Sequence, residues 1–92
     1  MVAMAEESDS LFEFPCAFPI KVMGLAADTL SSTVLDVVIR HAPDFNAATM
    51  VIRTSSAGKY QSLTCTINAT SRAQLDALYR ELSSHPLVKF VL

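Results

Sequence analysis

The sequence has no tryptophan, only two glycines and two cysteines, and just 17% charged residues in a chain of 92. Each shortage removes a class of protein. Two glycines cannot build a glycine-rich phosphate cradle, and Gly58 beside Lys59 reads as the tip of a hairpin. Cys16 and Cys65 stand far apart, with neither a second Cys nor a His at ligand spacing. That excludes a disulfide scaffold and a zinc site, and predicts reduced thiols in a cytoplasm. No stretch approaches the roughly 20 apolar residues of a membrane span. The opening MVAMAEESDS is acidic and small, where a secretory signal would be basic and then apolar. The expectation is a cytoplasmic protein that does not enter a membrane, on which the sequon Asn68-Ala69-Thr70 stays unused.

What the sequence does hold is 51% hydrophobic residues, enough for one small folded core. The formal net charge of −2 is uneven. Glu6, Glu7, Asp9 and Glu13 precede the first cation, so residues 1–13 carry −4; the remaining seven basic and five acidic side chains leave +2. Two positive charges are too few for duplex DNA, so no nucleic acid is expected as a partner. Residues 1–12 read as a flexible acidic segment and residues 13–92 as a single domain.

Within that domain, residues 17–24 (AFPIKVMG) alternate Phe18, Ile20 and Val22 against Pro19, Lys21 and Met23, which predicts a strand closed by Gly24. Residues 29–42 hold several β-branched side chains, yet at 100° per residue Leu30, Val34, Val37 and Val38 share one arc. This predicts an amphipathic helix, capped by Asp28 or Thr29 and stopped by Pro43. Residues 48–54 and 60–69 form two β-rich runs joined by Ser55-Ser56-Ala57-Gly58-Lys59, a hairpin. Leu63, Cys65 and Ile67 occupy one face of the second run, and Ser62, Thr64, Thr66 and Asn68 the other. Ser71 with Gln74 matches a capping box ahead of Leu75, Leu78 and Leu82, a second helix ending before His85-Pro86. Residues 87–92 (LVKFVL) read as a last strand.

This order implies an α+β fold: a ferredoxin-like βαββαβ sandwich, with an antiparallel four-stranded sheet ordered 4-1-3-2 and two helices on one face. The strings KVMG (21–24), VVIRHAP (37–43), SSAGKYQS (55–62), TINAT (66–70), LYREL (78–82) and the terminal VKFVL, taken together, resemble the YbeD-like family of small bacterial proteins over about residues 13–92. The resemblance implies a fold related to the ACT regulatory domain and suggests a link to lipoate metabolism, but supplies no activity. ACT domains bind amino acids at the turn between the first strand and first helix. The positions here that match part of that pattern are Gly24 and Asp28, with no Pro-Gly pair after the Asp.

No catalytic constellation is legible. Cys65 falls on an apolar strand face, His41 at a helix end among Val34 and Val37, and His85 in a loop. No catalytic residue, metal or cofactor is therefore expected. The expected partner surface is the open sheet face with its hairpin: Lys21, Arg53 and Lys89 among Ser62, Thr64 and Thr66, together with Ser55, Ser56, Lys59 and Tyr60 at the tip. The main functional expectation is a non-enzymatic regulatory or adaptor domain that binds an acidic protein surface. The alternative is an ACT-like sensor of an amino acid or small carboxylate at Gly24 and Asp28. A homodimer stays open, because related sheets pair edge to edge while Lys89 on the last strand works against it.

Overall fold

A computed structural model describes residues 14–92, so the predicted flexible segment 1–12 lies outside the described residues. The chain forms strand β1 (Cys16–Leu25), helix α1 (Leu30–His41), strands β2 (Val51–Thr54) and β3 (Tyr60–Ala69), helix α2 (Arg72–Ser84) and strand β4 (Val88–Val91). The sheet order is β2-β3-β1-β4 and every pairing is antiparallel, the predicted topology. Ile20 and Val22 of β1, with Leu63, Cys65 and Ile67 of β3, form the floor of the core. Leu30, Val34, Val37 and Val38 of α1 and Leu75, Leu78 and Leu82 of α2 close over them.

Local chemistry explains where these elements begin. Ser71 has extended backbone and its hydroxyl accepts from Gln74 N, the predicted cap. The reciprocal arm differs from the standard box. Gln74 Oε1 accepts from Thr70 N at 2.6 Å, one residue before the cap, and Gln74 Nε2 donates to the His41 carbonyl at 2.8 Å. One side chain thus fixes the start of α2 and ties it to the end of α1. The helix α1 lacks the expected side-chain cap: Thr29 sits at the cap position with helical backbone (φ −88°, ψ −7°) in place of the extended backbone usual for a capping residue, and its side chain makes no cap hydrogen bond. Ser32 Oγ instead donates to the Thr29 carbonyl.

Two strand boundaries also move. Residues 47–49 coil into a 3-10 turn because Asn46 Oδ1 accepts from Ala48 N and Thr49 Oγ1 donates to the Asn46 carbonyl, so β2 starts at Val51. Gly24 does not close β1 but lies inside it, at a register shift against β4. Pro19, within a central strand, is tolerated because Lys21 N, two residues on, points to β4 and donates to the Leu92 carbonyl. By alternation Pro19 N points the same way, outside the β1–β4 pairings, so its missing N–H removes no bond from that ladder.

Candidate functional site

Strand register determines what the helix-free face of the sheet carries. Lys21 pairs with Thr64 and Met23 with Ser62 on β1 and β3; Arg53 pairs with Ser62 and Val51 with Thr64 on β2 and β3. Lys21, Arg53, Thr64 and Thr66 therefore share the open face, as the alternation predicted. Ser62 shares its parity but is buried, because the longer Met23 and Arg53 flank its small side chain on both sides.

The last strand corrects the reading of Lys89. Met23 pairs with Phe90 and Gly24 with Val88, so Lys89 is the extra residue of a β-bulge at the sheet edge and has no partner on β1. The insertion reverses the alternation. Val88 and Val91 lie on the side of Gly24 and Val22, toward the helices, and Phe90 joins Met23 on the open face. Leu92 exchanges two backbone hydrogen bonds with Lys21 and so shares that face too. Phe90 is 50% exposed, Leu92 64% and Val51 48%, where a purely polar platform had been expected. Sequence reasoning missed these side chains because alternation counted through the bulge put Phe90 and Leu92 in the core. The available signal was an apolar run, VKFVL, with too many apolar residues for one face.

At the hairpin tip, Ser55 Oγ accepts from both Lys59 N and Tyr60 N, and Gly58 adopts φ +74°. Ser55 thereby closes the turn, and its hydroxyl is engaged within the loop. Ser56 is exposed, and Lys59 Nζ lies 5.7 Å from the Tyr60 ring centroid, a cation–π pair at the surface. Ala26 N donates to the Lys59 carbonyl at 2.9 Å, bringing the β1–α1 turn against the tip. Between them opens a polar cleft of about 430 Å³ lined by Asp28, Ser31, Thr54, Gly58 and Gln61 with Ala26 and Ala27. Of the two residues expected at a ligand site, Asp28 lines this cleft. Gly24 is not: it is buried, and the Leu87 carbonyl and Leu30 methyls fill the space beside its α-carbon.

One cluster of titratable groups joins the two helices. His41 Nε2 lies 2.7 Å from Glu81 Oε1, and Arg40 pairs with the other carboxylate oxygen. This joins the ends of the two helices. The hydrogen bond from His41, followed by that from Arg40, holds the Glu81 carboxyl below its ordinary 4.5. A carboxyl lowered on folding stabilises the fold above pH 4.5, and that contribution is lost as pH falls through the lower folded value. Glu81→Gln is accordingly expected to flatten the loss of thermal stability on acidification below about pH 4.5, relative to the wild type. Parallel melting-temperature profiles for the two proteins would show that the carboxylate bears no such load. Cys65 is buried and its thiol is pushed up to about 11 by burial, which leaves it protonated and unreactive at neutral pH. Among the described residues, no three His, Cys, Asp or Glu side chains group to hold a metal ion, and no helix is long and apolar enough to cross a membrane.

The βαββαβ topology and its open antiparallel sheet place the protein in the ferredoxin-like class. It superposes on the ACT domain from GTP pyrophosphokinase of Chlorobium tepidum with a TM-score of 0.56, at 19% identity, over 84% of this chain and 97% of that one. The solution structure of protein HP0495 from H. pylori matches with a TM-score of 0.72, at 16% identity, over 88% and 85% of the two chains. Residues 9–92 match the family described as "Protein of unknown function (DUF493)", and the chain belongs to that family. Relatives include the UPF0250 protein of Janthinobacterium sp. (strain Marseille), 58% identical over 95% of this chain and 96% of that one. The UPF0250 protein of Nitrosomonas europaea is 52% identical over 97% of this chain and all of its own. These are the YbeD-like bacterial proteins that the sequence resembled.

Proposed function

We propose that the protein is a cytoplasmic, non-enzymatic domain of a regulatory or adaptor kind that acts by holding another protein on its open sheet face. One observation carries this reading: Phe90 and Leu92, each half exposed or more, adjoin on one face with Lys21 and Met23, while Val51 and Arg53 share that face at its opposite edge. Isolated apolar side chains are ordinary on a protein surface, but adjoining ones set among cations are the composition of a binding patch. The two free thiols, one of them deeply buried, suit a reducing compartment.

The test compares proteins retained from a bacterial lysate by immobilised wild type, Phe90→Asp and, on the helix side, Asp36→Arg. A partner of the open face is retained by the wild type and Asp36→Arg, and falls about tenfold with Phe90→Asp, the loss of one well-placed anchor. Equal retention by all three would sink the reading.

A second reading, an ACT-like sensor of an amino acid or a lipoate-type carboxylate, draws support from the cleft at Asp28, Ser31, Thr54 and Gln61. That cleft adjoins the start of α1, whose first turn has no acidic side chain and no side-chain cap. It is favoured only if millimolar amino acids shift the amides of residues 26–31 and 58–61.

A further inference from the structure

The charges of the domain are sorted by layer. The four strands contain 28 residues, with Lys21, Arg53 and Lys89 among them and no Asp or Glu. All five acidic side chains of the described residues lie on helices or connections: Asp28, Asp36, Asp44, Asp76 and Glu81. Two of these are taken by Arg40 and Arg72 within the helical layer. Among the described residues no carboxylate forms an ion pair with Lys21, Arg53 or Lys89. The sheet face therefore presents uncompensated positive charge around its apolar residues.

The face is also divided laterally. On the β1–β4 half, Met23 and Phe90 are cross-strand neighbours, and Leu92 lies beside Lys21. On the β3–β2 half are Ser62, Thr64 and Thr66, with Arg53 and the single apolar Val51 beyond them on the β2 edge. The apolar half is two strands wide. Neighbouring strands are about 4.8 Å apart, so the half matches one α-helix, whose diameter with side chains is about 10 Å. Strand addition at the β4 edge is opposed by the bulge and by Lys89, so the occupant of this half is not a fifth strand.

We infer that the partner segment is an amphipathic helix whose apolar stripe covers Met23, Phe90 and Leu92 and whose flanks carry Asp or Glu. One flank faces Arg53 across the short Ser62 and Thr64 side chains, the other faces Lys89 at the sheet edge, and Lys21 meets the helix from below. This inference rests on the protein-binding reading and adds the chemistry of the partner to it. Rim charges of this kind set specificity and association rate, while the apolar anchors supply most of the affinity.

The test uses the full chain, labelled for NMR, with three synthetic peptides of about 18 residues. All three have leucine at i, i+3, i+4 and i+7 spacing; the flanking positions are Glu, Gln or Lys. The Glu peptide is expected to shift the amides of residues 21–23, 53, 62–64 and 89–92 in a saturable way. It should bind about tenfold more tightly than the Gln peptide, with the Lys peptide weaker still, and Arg53→Glu should remove that preference. Both Arg53→Glu and Phe90→Asp alter exposed side chains, so unchanged melting temperatures confirm intact folds. Equal binding of the Glu and Gln peptides at the face would overturn the acidic chemistry while leaving the face a protein-binding surface. Absence of shifts at the face with every peptide would overturn the helical partner, and the retention experiment would then judge the broader reading separately. Two further results count against the inference: a dimer in sedimentation equilibrium that Phe90→Asp dissolves, and binding to phosphatidylglycerol vesicles in place of peptides.

Discussion

Gly24→Ala is expected to lower the unfolding free energy by about 2–3 kcal/mol, the cost of forcing extra volume into a closed site. The added Cβ would stand 2.5 Å from the Leu87 carbonyl oxygen and 3.1 and 3.2 Å from the two Leu30 methyls. A flexible side chain can turn aside, but Leu87 O is backbone, and it accepts from Leu25 N at 3.1 Å. To admit the methyl group, the entry to β4 must retreat from β1 and weaken that bond. For a domain of this size, each kcal/mol shifts the melting temperature by about 4–8 °C, so a fall of about 10–20 °C should be visible in a calorimetric scan. A fall of less than about 4 °C would mean that the two strands are not this close. Because Gly24 lies in β1 next to Met23, which pairs with Phe90, the same substitution should also disturb the positions of Met23 and Phe90.

Leu78→Ala should cost slightly more, about 3–4 kcal/mol. Leu78 is fully buried in the middle of the α2 stripe, between Leu75 and Leu82, against the floor made by β1 and β3. Truncation removes three carbon atoms and leaves a cavity between a helix and a sheet. Neither can collapse into it: α2 is pinned by Gln74 to the His41 carbonyl and by Glu81 to Arg40 and His41. A urea titration should show a lower midpoint with an unchanged slope, since the surface exposed on unfolding hardly changes. Val51→Ala is the matching control; Val51 is 48% exposed on the edge strand, and its truncation should stay within about 0.5 kcal/mol. A loss below about 1 kcal/mol for Leu78→Ala would show that α2 does not close the core.

Against a total stability of about 5–15 kcal/mol for a domain of this kind, either substitution takes a large share. Lys21, Arg53, Phe90 and Leu92 can change at little cost in stability, because their side chains project into solvent on the side away from the helices. The molecule thus separates a helical layer, which holds the fold together, from a sheet face free to carry a binding function.

The sequence by itself determined the order of the elements, the sheet topology and nearly all of the core. These follow from short-range periodicity: the alternation of residues 60–69, the arc of Leu30, Val34, Val37 and Val38, and the Ser71–Gln74 cap are each complete within one segment. Tertiary structure alone decided which side chains lie on the open face. Whether Phe90 or Lys89 faces outward depends on a bulge in β4, which falls opposite Met23 and Gly24 of another strand, where the absence of a Cβ on Gly24 leaves room for the Leu87 carbonyl. In the same way, no local pattern shows that His41 meets Glu81 forty residues on, or that Asp28 and Gln61 face one cleft. Periodicity reports each strand's two sides, but a single inserted residue exchanges them, and only pairing with the neighbouring strand reveals the insertion.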